Sequence, residues 1–185
     1  MGTTEETYKF DAESYVQYLF EPENKTVSKH LLEHLAKFYG SLSCGSGSLT
    51  ILDYGCGPCL PYSISAAPKA SEIVLADYAK SSRDHLREWL DGGDSAYDWT
   101  PCFQHVVQVL EGGSEEEAKQ RQHLLRSKVK AVISCDINRD DFIDERYMVK
   151  YDVVMSFICL DGSVRDLDGY KSGIAKLSSL IKDNG

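Results

Sequence analysis

The sequence has 185 residues, of which 42% are hydrophobic and 10% aromatic, and it carries a formal net charge of −9 with an isoelectric point near 5.0. A chain of this length and composition can form one sizeable core, so we expect a single domain over residues 1–185. The negative charge argues against a general attraction to nucleic acid or to anionic membranes. Small-molecule chemistry fits the composition better.

The amino-terminal run GTTEETYKFD lacks the basic start and the apolar stretch of a signal peptide, and no later segment has the length needed to span a bilayer. We therefore expect a cytoplasmic protein without a membrane partner. In a reducing compartment, the six cysteines are expected to be free thiols that pack as small hydrophobic residues.

Predicted helices and strands alternate along the chain. The helical patterns cover 26–39, 82–90, a segment that starts at Thr100-Pro101 and runs to Leu110, and the charged run 114–128. Between them lie nearly continuous apolar runs, which are typical of strands buried on both faces: 49–55, 72–78, 129–137 and 151–162. The alternation predicts an α/β fold with a Rossmann-like, doubly wound and mostly parallel sheet.

Each predicted strand ends in acidic residues or glycine. The ends are Asp53-Tyr54-Gly55, Asp77-Tyr78, Asp136-Ile137 and residues 156–161. Because ligands of doubly wound folds bind at the carboxyl ends of the strands, these segments are expected to line one cleft.

The turn DYGCGPC, residues 53–59, has the glycine spacing of a cofactor loop, and Asp77 follows about twenty residues later, where a carboxylate can bind ribose. Cys59 or Leu60 replaces the third glycine of the dinucleotide fingerprint, and the lysine of a P-loop is missing. A nucleoside without phosphates therefore fits better than NAD or ATP.

S-adenosyl-L-methionine is such a nucleoside. In this interpretation Asp77 binds the ribose, Asp136 binds the adenine amino group and Ile137 lies against the adenine ring. The turn at residues 53–57 would receive the methionine ammonium group.

The letters CGPC, Cys56 to Cys59, are also those of the thioredoxin active site. Gly55 stands where thioredoxin needs an aromatic residue, Pro61 interrupts the helix that should follow, and the segment after Pro101 has a helical period. A thioredoxin-like redox protein remains a less favoured alternative, since a helix N-terminus can lower a thiol pKa.

Two metal motifs are weaker still. HLLEH, His30 to His34, has the order of a zinc protease motif, but both histidines flank an apolar helical stripe. DINRDDF, residues 136–142, lacks the glycine and the glutamate of a calcium loop. No metal cofactor is predicted.

Over its whole length the chain resembles the nicotinamide, phenylethanolamine and indolethylamine N-methyltransferases. The resemblance rests on FDAESYVQYLF, LDYGCGP, EIVLADYAKSSRDHLREWL, AYDWTPCFQHVVQVLEG, CDI and SFICLDGSVRDLDGYKSGIAKLSSLIKDNG. It implies a class I methyltransferase with a lid and helix over 1–48 and a cofactor-binding core over 49–185. It also implies S-adenosyl-L-methionine as methyl donor and a small amine or pyridine as acceptor.

The resemblance further implies which residues bind the cofactor. Tyr15 matches a lid tyrosine over the methionine carboxylate, whereas Phe20 stands where many members have a second tyrosine. The other matching positions are Gly55, Cys56, Gly57, Asp77, Tyr78, Ser82 in place of an asparagine, Asp136, Ile137 and Phe157. Asp161 matches an acidic position near the acceptor nitrogen and is the predicted catalytic residue.

In the resembling family, further strands follow the turn that ends LIKDNG and carry most acceptor-binding residues. We therefore expect a sheet that lacks its last strands, with the fourth strand left as a long apolar edge. Either the chain is a truncated product or isoform, or a partner covers that edge. This expectation keeps open a second hypothesis, a catalytically weak cofactor-binding or interaction module.

Overall fold

The computed structural model describes residues 10–20 and 25–183. The α-helices in chain order are α1 (Ala12–Phe20), α2 (Lys25–Ser41), α3 (Lys80–Asp91), α4 (Thr100–Gln104), α5 (Glu115–Lys128), α6 (Leu160–Ser163) and α7 (Leu167–Ser179). The strands are β1 (Leu49–Tyr54), β2 (Ala70–Asp77), β3 (Val129–Ser134) and β4 (Val153–Met155). A π-helical turn, His105–Leu110, continues α4, and single 3-10 turns lie at Pro61–Ser63 and Glu145–Tyr147.

The strands form one parallel sheet in the order β3-β2-β1-β4. The chain first builds outward from β1 to β3 and then returns to place β4 on the other side of β1. This reversal puts a topological switch point at the carboxyl end of β1, where doubly wound folds bind their ligands. The predicted α/β, doubly wound architecture is confirmed.

Alternating strand residues point to opposite faces of the sheet, and both faces are covered. Ile51, Ile73 and Leu75 belong to a core that includes side chains of α2, α3 and α5. Leu52 and Val74 belong to a second core that includes side chains of α7. Burial on both faces explains why the strands are continuous apolar runs rather than alternating ones.

The predicted helices are confirmed, with small changes at their ends. Phe103, Val106 and Val107 are buried as expected, but Trp99 rather than Thr100 occupies the N-cap and no side-chain cap bond forms. In α5, Ser114 and Glu117 form a reciprocal capping box, which agrees with the acidic first turn. None of the helices in the described ranges is both long and apolar enough to cross a membrane.

The prediction for the fourth strand was wrong in length. Instead of 151–162, β4 covers only Val153–Met155, because the chain turns at Ile158, whose φ is 50°, and enters α6. The predicted long apolar edge is therefore a three-residue edge whose Val153 and Val154 are half-buried. Just before β4, Tyr151 forms an isolated parallel bridge with Ile181. The third strand likewise ends at Ser134 rather than at residue 137.

Candidate functional site

The glycine turn after β1 has the backbone conformation that its sequence predicts. Gly55 has a φ of 73° and Gly57 a φ of 60°, both in the left-handed region that favours glycine. The backbone N–H groups of Gly55 and Cys56 both donate to the carbonyl of Ala76, at 2.8 and 3.1 Å. A Cβ at Gly55 would overlap the Cys159 thiol and lie 2.6 Å from Cys159 Cβ. The turn is thus fastened to the end of β2 and packed against the segment after β4.

Asp77, at the end of β2, binds this turn directly. Its Oδ2 accepts the N–H of Gly57 at 2.8 Å, and its Oδ1 accepts the N–H of Ala79 at 2.9 Å. Burial raises the pKa of the Asp77 carboxyl, and these two hydrogen bonds, the Ser82 hydroxyl and the charge of Arg83 oppose that rise. The structure therefore brings together the predicted turn and the predicted ribose carboxylate.

Tyr15 of α1 lies over the same turn. Its Cε1 would be 3.8 Å from a Cβ built on Gly57, so the ring is in ordinary contact distance of this position. Burial raises the pKa of the Tyr15 hydroxyl, and the neighbouring Cys59 and Asp77 raise it further. Three residues predicted to contact the cofactor, Tyr15, Gly57 and Asp77, form one cluster. The side chain of Phe20 lies outside the described residues.

Two side chains near the turn are enclosed. Asp53 is 1% exposed, and the Ser63 hydroxyl donates to its Oδ2 at 3.4 Å. Burial raises the pKa of Asp53 to about 7, partly offset by Ser63 and reinforced by the charge of Asp77. Ser82, which stands in place of the usual asparagine, is fully buried in α3. The Asp53 carboxyl is therefore a buried group beneath the turn rather than an open ligand contact.

Sequence reasoning missed Arg83, which holds the backbone at the end of β2. Arg83 is 5% exposed, and its guanidinium donates to the carbonyls of Asp77 and Tyr78 at 2.8 and 2.7 Å. The sequence contained a signal, because Arg83 shares the buried side of α3 with Leu86 and Trp89. An arginine at such a position is rarely buried unless it is paired.

The two predicted site residues that follow β3, Asp136 and Ile137, lie in different environments. Asp136 is half-buried, and its Oδ1 accepts the N–H of Asn138 at 3.0 Å. Ile137 is 5% exposed and packs against Gly173 of α7, while Lys176 donates to the Ile137 carbonyl at 2.9 Å. In this arrangement the Ile137 side chain lies in the core beside α7.

The segment after β4 carries the remaining predicted residues. Phe157 is half-buried, and its ring centroid lies 5.7 Å from that of Tyr62. Asp161 is exposed in α6 and lines a cleft of about 340 Å³ together with Ser156, Ile158 and Tyr170. Tyr15, Gly57 and Asp77 do not line this cleft. The cleft nevertheless adjoins the glycine turn, because Cys159, which also lines it, packs against Gly55.

The structure gives little support to the redox interpretation of CGPC or to the zinc interpretation of HLLEH. Cys56 and Cys59 are 5% and 1% exposed, and burial raises the pKa of both thiols, whereas a redox pair needs a lowered thiol pKa. Cys59 leads into the single 3-10 turn at Pro61–Ser63 rather than into an α-helix. His30 and His34 are exposed, and within the described ranges no group of three His, Cys, Asp or Glu side chains is placed to hold a metal ion.

A doubly wound parallel sheet with a glycine turn after its first strand and a carboxylate at the end of its second defines an α/β protein of the Rossmann-like class, whose ligands bind at this end of the sheet. The model of the NNMT/PNMT/TEMT family matches residues 1–185, and the chain belongs to this family. The resemblance seen in the sequence is thereby confirmed.

The chain is also similar in sequence to individual members of the family, over part of their length. The chain is 30% identical over 190 residues to human nicotinamide N-methyltransferase, covering 99% of this chain and 70% of that protein. It is 31% identical over 160 residues to rabbit indolethylamine N-methyltransferase, covering 85% and 58%. It is 26% identical over 137 residues to rat phenylethanolamine N-methyltransferase, covering 73% and 47%. The chain thus matches between about half and about two thirds of the length of these relatives.

Proposed function

We propose that the protein binds S-adenosyl-L-methionine and transfers its methyl group to the nitrogen of a small amine or pyridine. The observation that carries the proposal is the cluster of Tyr15, Gly57 and Asp77 at the switch point of the sheet. The family supports N-methylation, and the relatives' names specify nicotinamide, indolethylamine and phenylethanolamine as acceptors.

The residues of the turn fit this cofactor. The two backbone N–H bonds and the Ser82 hydroxyl do not use all the acceptor positions of the Asp77 carboxylate, so the side chain can still receive a ribose hydroxyl. Gly57 lets the backbone approach a ligand closely, and Tyr15 covers the same place from α1. Asp136 is half-buried at the next strand end, where we propose that it accepts from the adenine amino group.

The chain's contribution to catalysis is positioning. When bound, S-adenosylmethionine supplies a sulfonium-activated methyl group, so the transfer needs little acid–base chemistry. Asp77 and the glycine turn hold the nucleoside in one orientation, and Tyr15 limits the access of water to that end of the site. Correct alignment of the two reactants contributes up to about 7 to 11 kcal/mol in favourable systems.

The role of Asp161 in this reaction stays a prediction. Its carboxylate carries a negative charge opposite in sign to a protonated or methylated acceptor amine, and it lies in a cleft large enough for a small molecule. We propose that it orients the acceptor amine. Its exposure also favours the second candidate, a cofactor-binding module with weak or no turnover.

One pair of measurements tests the function and separates the two candidates. Calorimetric titration of the full chain with S-adenosylhomocysteine is expected to give saturable binding. Transfer of labelled methyl groups is then measured with nicotinamide, tryptamine and phenylethanolamine as acceptors. Binding with turnover supports the enzyme, and binding without turnover on any acceptor supports the module. Absence of saturable binding overturns both.

A further inference from the structure

The first residue that the structure describes is tied to the helix that follows Asp77. Ser81, in the first turn of α3, is half-buried, and its hydroxyl donates to the carbonyl of Phe10 at 2.6 Å. Residues 71 positions apart are joined by this bond. It attaches the lid segment, which we define as residues 10–20, to the β2–α3 junction.

The attachment point, Phe10, precedes Tyr15 by five residues in the chain. Phe10 directly precedes Asp11, whose carboxylate accepts the N–H and the hydroxyl of Ser14 at 3.0 and 2.7 Å and so caps α1. The rings of Phe10 and Tyr15 are in contact, with centroids 5.2 Å apart. The residue whose carbonyl accepts the Ser81 bond therefore also contacts the Tyr15 ring.

The length of α1 makes such an attachment important. The helix has 9 residues, and isolated helices shorter than about 12 to 15 residues are marginal in water. Val16 and Leu19, at 0% and 8% exposure, bury the part of α1 after Tyr15, whereas the buried residue before Tyr15 is the small Ala12, at 7% exposure. The Ser81 bond adds a polar attachment at this end of the helix, before Tyr15.

We infer that Ser81 is a positioning residue that holds Tyr15 over the glycine turn. Ser81 lies four residues after Asp77 in the chain. One short segment therefore positions both the proposed ribose carboxylate and the lid segment. The consequence for ligand affinity rests on the proposed function, whereas the consequence for the order of residues 10–20 does not.

Hydrogen exchange of the ligand-free full chain tests the attachment itself. In Ser81→Ala, amide exchange across residues 11–20 is expected to be about 3- to 10-fold faster than in the wild type, the effect of losing one hydrogen bond. Ser81→Thr keeps the hydroxyl and should restore slow exchange. The matched control is Ser71→Ala, since the Ser71 hydroxyl also donates to a distant backbone carbonyl, that of Leu49 at 2.9 Å, at the opposite end of β2. Unchanged exchange in Ser81→Ala overturns the inference.

Affinity for S-adenosylhomocysteine tests the positioning role. Ser81→Ala should bind about 3- to 10-fold more weakly, with the Michaelis constant for the methyl donor rising more than kcat falls, and Ser81→Thr should recover the affinity. Faster lid exchange with unchanged affinity would show a purely structural bond and overturn the positioning role. If the wild type binds no S-adenosylhomocysteine, the proposed function fails, while the exchange measurement still decides whether Ser81 fixes the lid.

Discussion

The backbone N–H of Gly57 donates a 2.8 Å hydrogen bond to Oδ2 of Asp77. This bond joins the turn after β1 to the end of β2, two segments that are adjacent in the sheet but 20 residues apart in the chain. Together with the bond from Ala79 to Oδ1, it fixes the rotamer of the carboxylate. The two bonds therefore fix the turn and the carboxylate relative to each other.

Replacing Asp77 with asparagine should damage both folding and ligand binding. Both oxygens of Asp77 accept backbone N–H groups, so an amide must turn its NH₂ toward one of these donors. We expect a loss of about 1 to 3 kcal/mol in the free energy of unfolding and at least a ~10-fold loss of S-adenosylhomocysteine affinity, measured by urea titration and calorimetry. Asp84→Asn, on the exposed side of α3, is the control and should change the free energy of unfolding and the S-adenosylhomocysteine affinity only slightly. Wild-type affinity in Asp77→Asn would contradict the assignment.

Alanine at the two turn glycines should have unequal effects. Gly57→Ala adds a Cβ in ordinary contact with Tyr15 and costs mainly the left-handed backbone, about 1 to 2 kcal/mol. Gly55→Ala meets the same backbone cost and also overlaps Cys159, so its free energy of unfolding should fall by about 1 to 3 kcal/mol more. Denaturant unfolding measures both. Adding Cys159→Gly to Gly55→Ala should recover the steric part, and equal losses in the two single variants would refute the overlap.

The contribution of Asp53 to the stability of the protein should fall as pH rises from about 4 to about 7. Burial raises the pKa of Asp53 to about 7 in the folded chain, against an ordinary value of 3.8. The folded state therefore binds the proton more tightly, and this stabilisation is complete below pH 4 and lost as pH rises through 7. The slope from this group approaches ~1.4 kcal/mol per pH unit between these limits. Asp77, whose pKa is also raised, contributes with the same sign.

Asp53→Asn isolates this effect. The difference in unfolding free energy between wild type and Asp53→Asn, measured in urea at pH 5, 6, 7 and 8, should change steadily up to about pH 7 and then level off. Asp152, whose pKa is lowered to about 2 by Lys182 and Thr50, titrates below this range and does not interfere. A difference that is constant across the four pH values would show that Asp53 is ionised throughout.

The thiols of the CGPC motif should be unreactive in the folded protein. Cys56 and Cys59 are buried with raised pKa values, whereas Cys44 and Cys102 are partly exposed. Alkylation with iodoacetamide at pH 7.5, followed by mass spectrometry, should modify Cys56 and Cys59 at least ~10-fold more slowly than Cys44. Reduction of insulin disulfides that disappears in Cys56→Ser would instead support the redox alternative.

Removal of the Asp161 charge should affect the acceptor and spare the cofactor. Asp161→Asn is expected to raise the acceptor Michaelis constant or lower kcat by about 10-fold, while S-adenosylhomocysteine affinity stays at the wild-type value because the glycine turn is intact. Steady-state kinetics measure the effect on the acceptor, and calorimetry measures the affinity for S-adenosylhomocysteine. Asp168→Asn, an exposed carboxylate on α7, is the matched control. Unchanged kinetics in Asp161→Asn would remove it from the reaction.

The sheet and the glycine turn were predictable because their signals are local. Apolar runs buried on both faces identified β1 and β2, and the glycine pair of the turn needs positive φ at both positions. The fourth strand was overestimated because Phe157, Ile158 and Leu160 continue the apolar composition after β4 has ended. Periodicity does not reveal that Ile158 takes a φ of 50° and redirects the chain.

Local sequence was sufficient for the order of helices and strands, the acidic strand ends and the family, since each depends on residues close together in the chain. Only the tertiary structure decided that Tyr15 lies over Gly57, that Arg83 donates to the end of β2 and Ser81 to Phe10, and that Asp161 lines a cleft with Ile158 and Tyr170. These relationships join segments that are distant in sequence. They follow from how helices pack on the sheet, and composition and spacing do not encode that packing in any short stretch of residues.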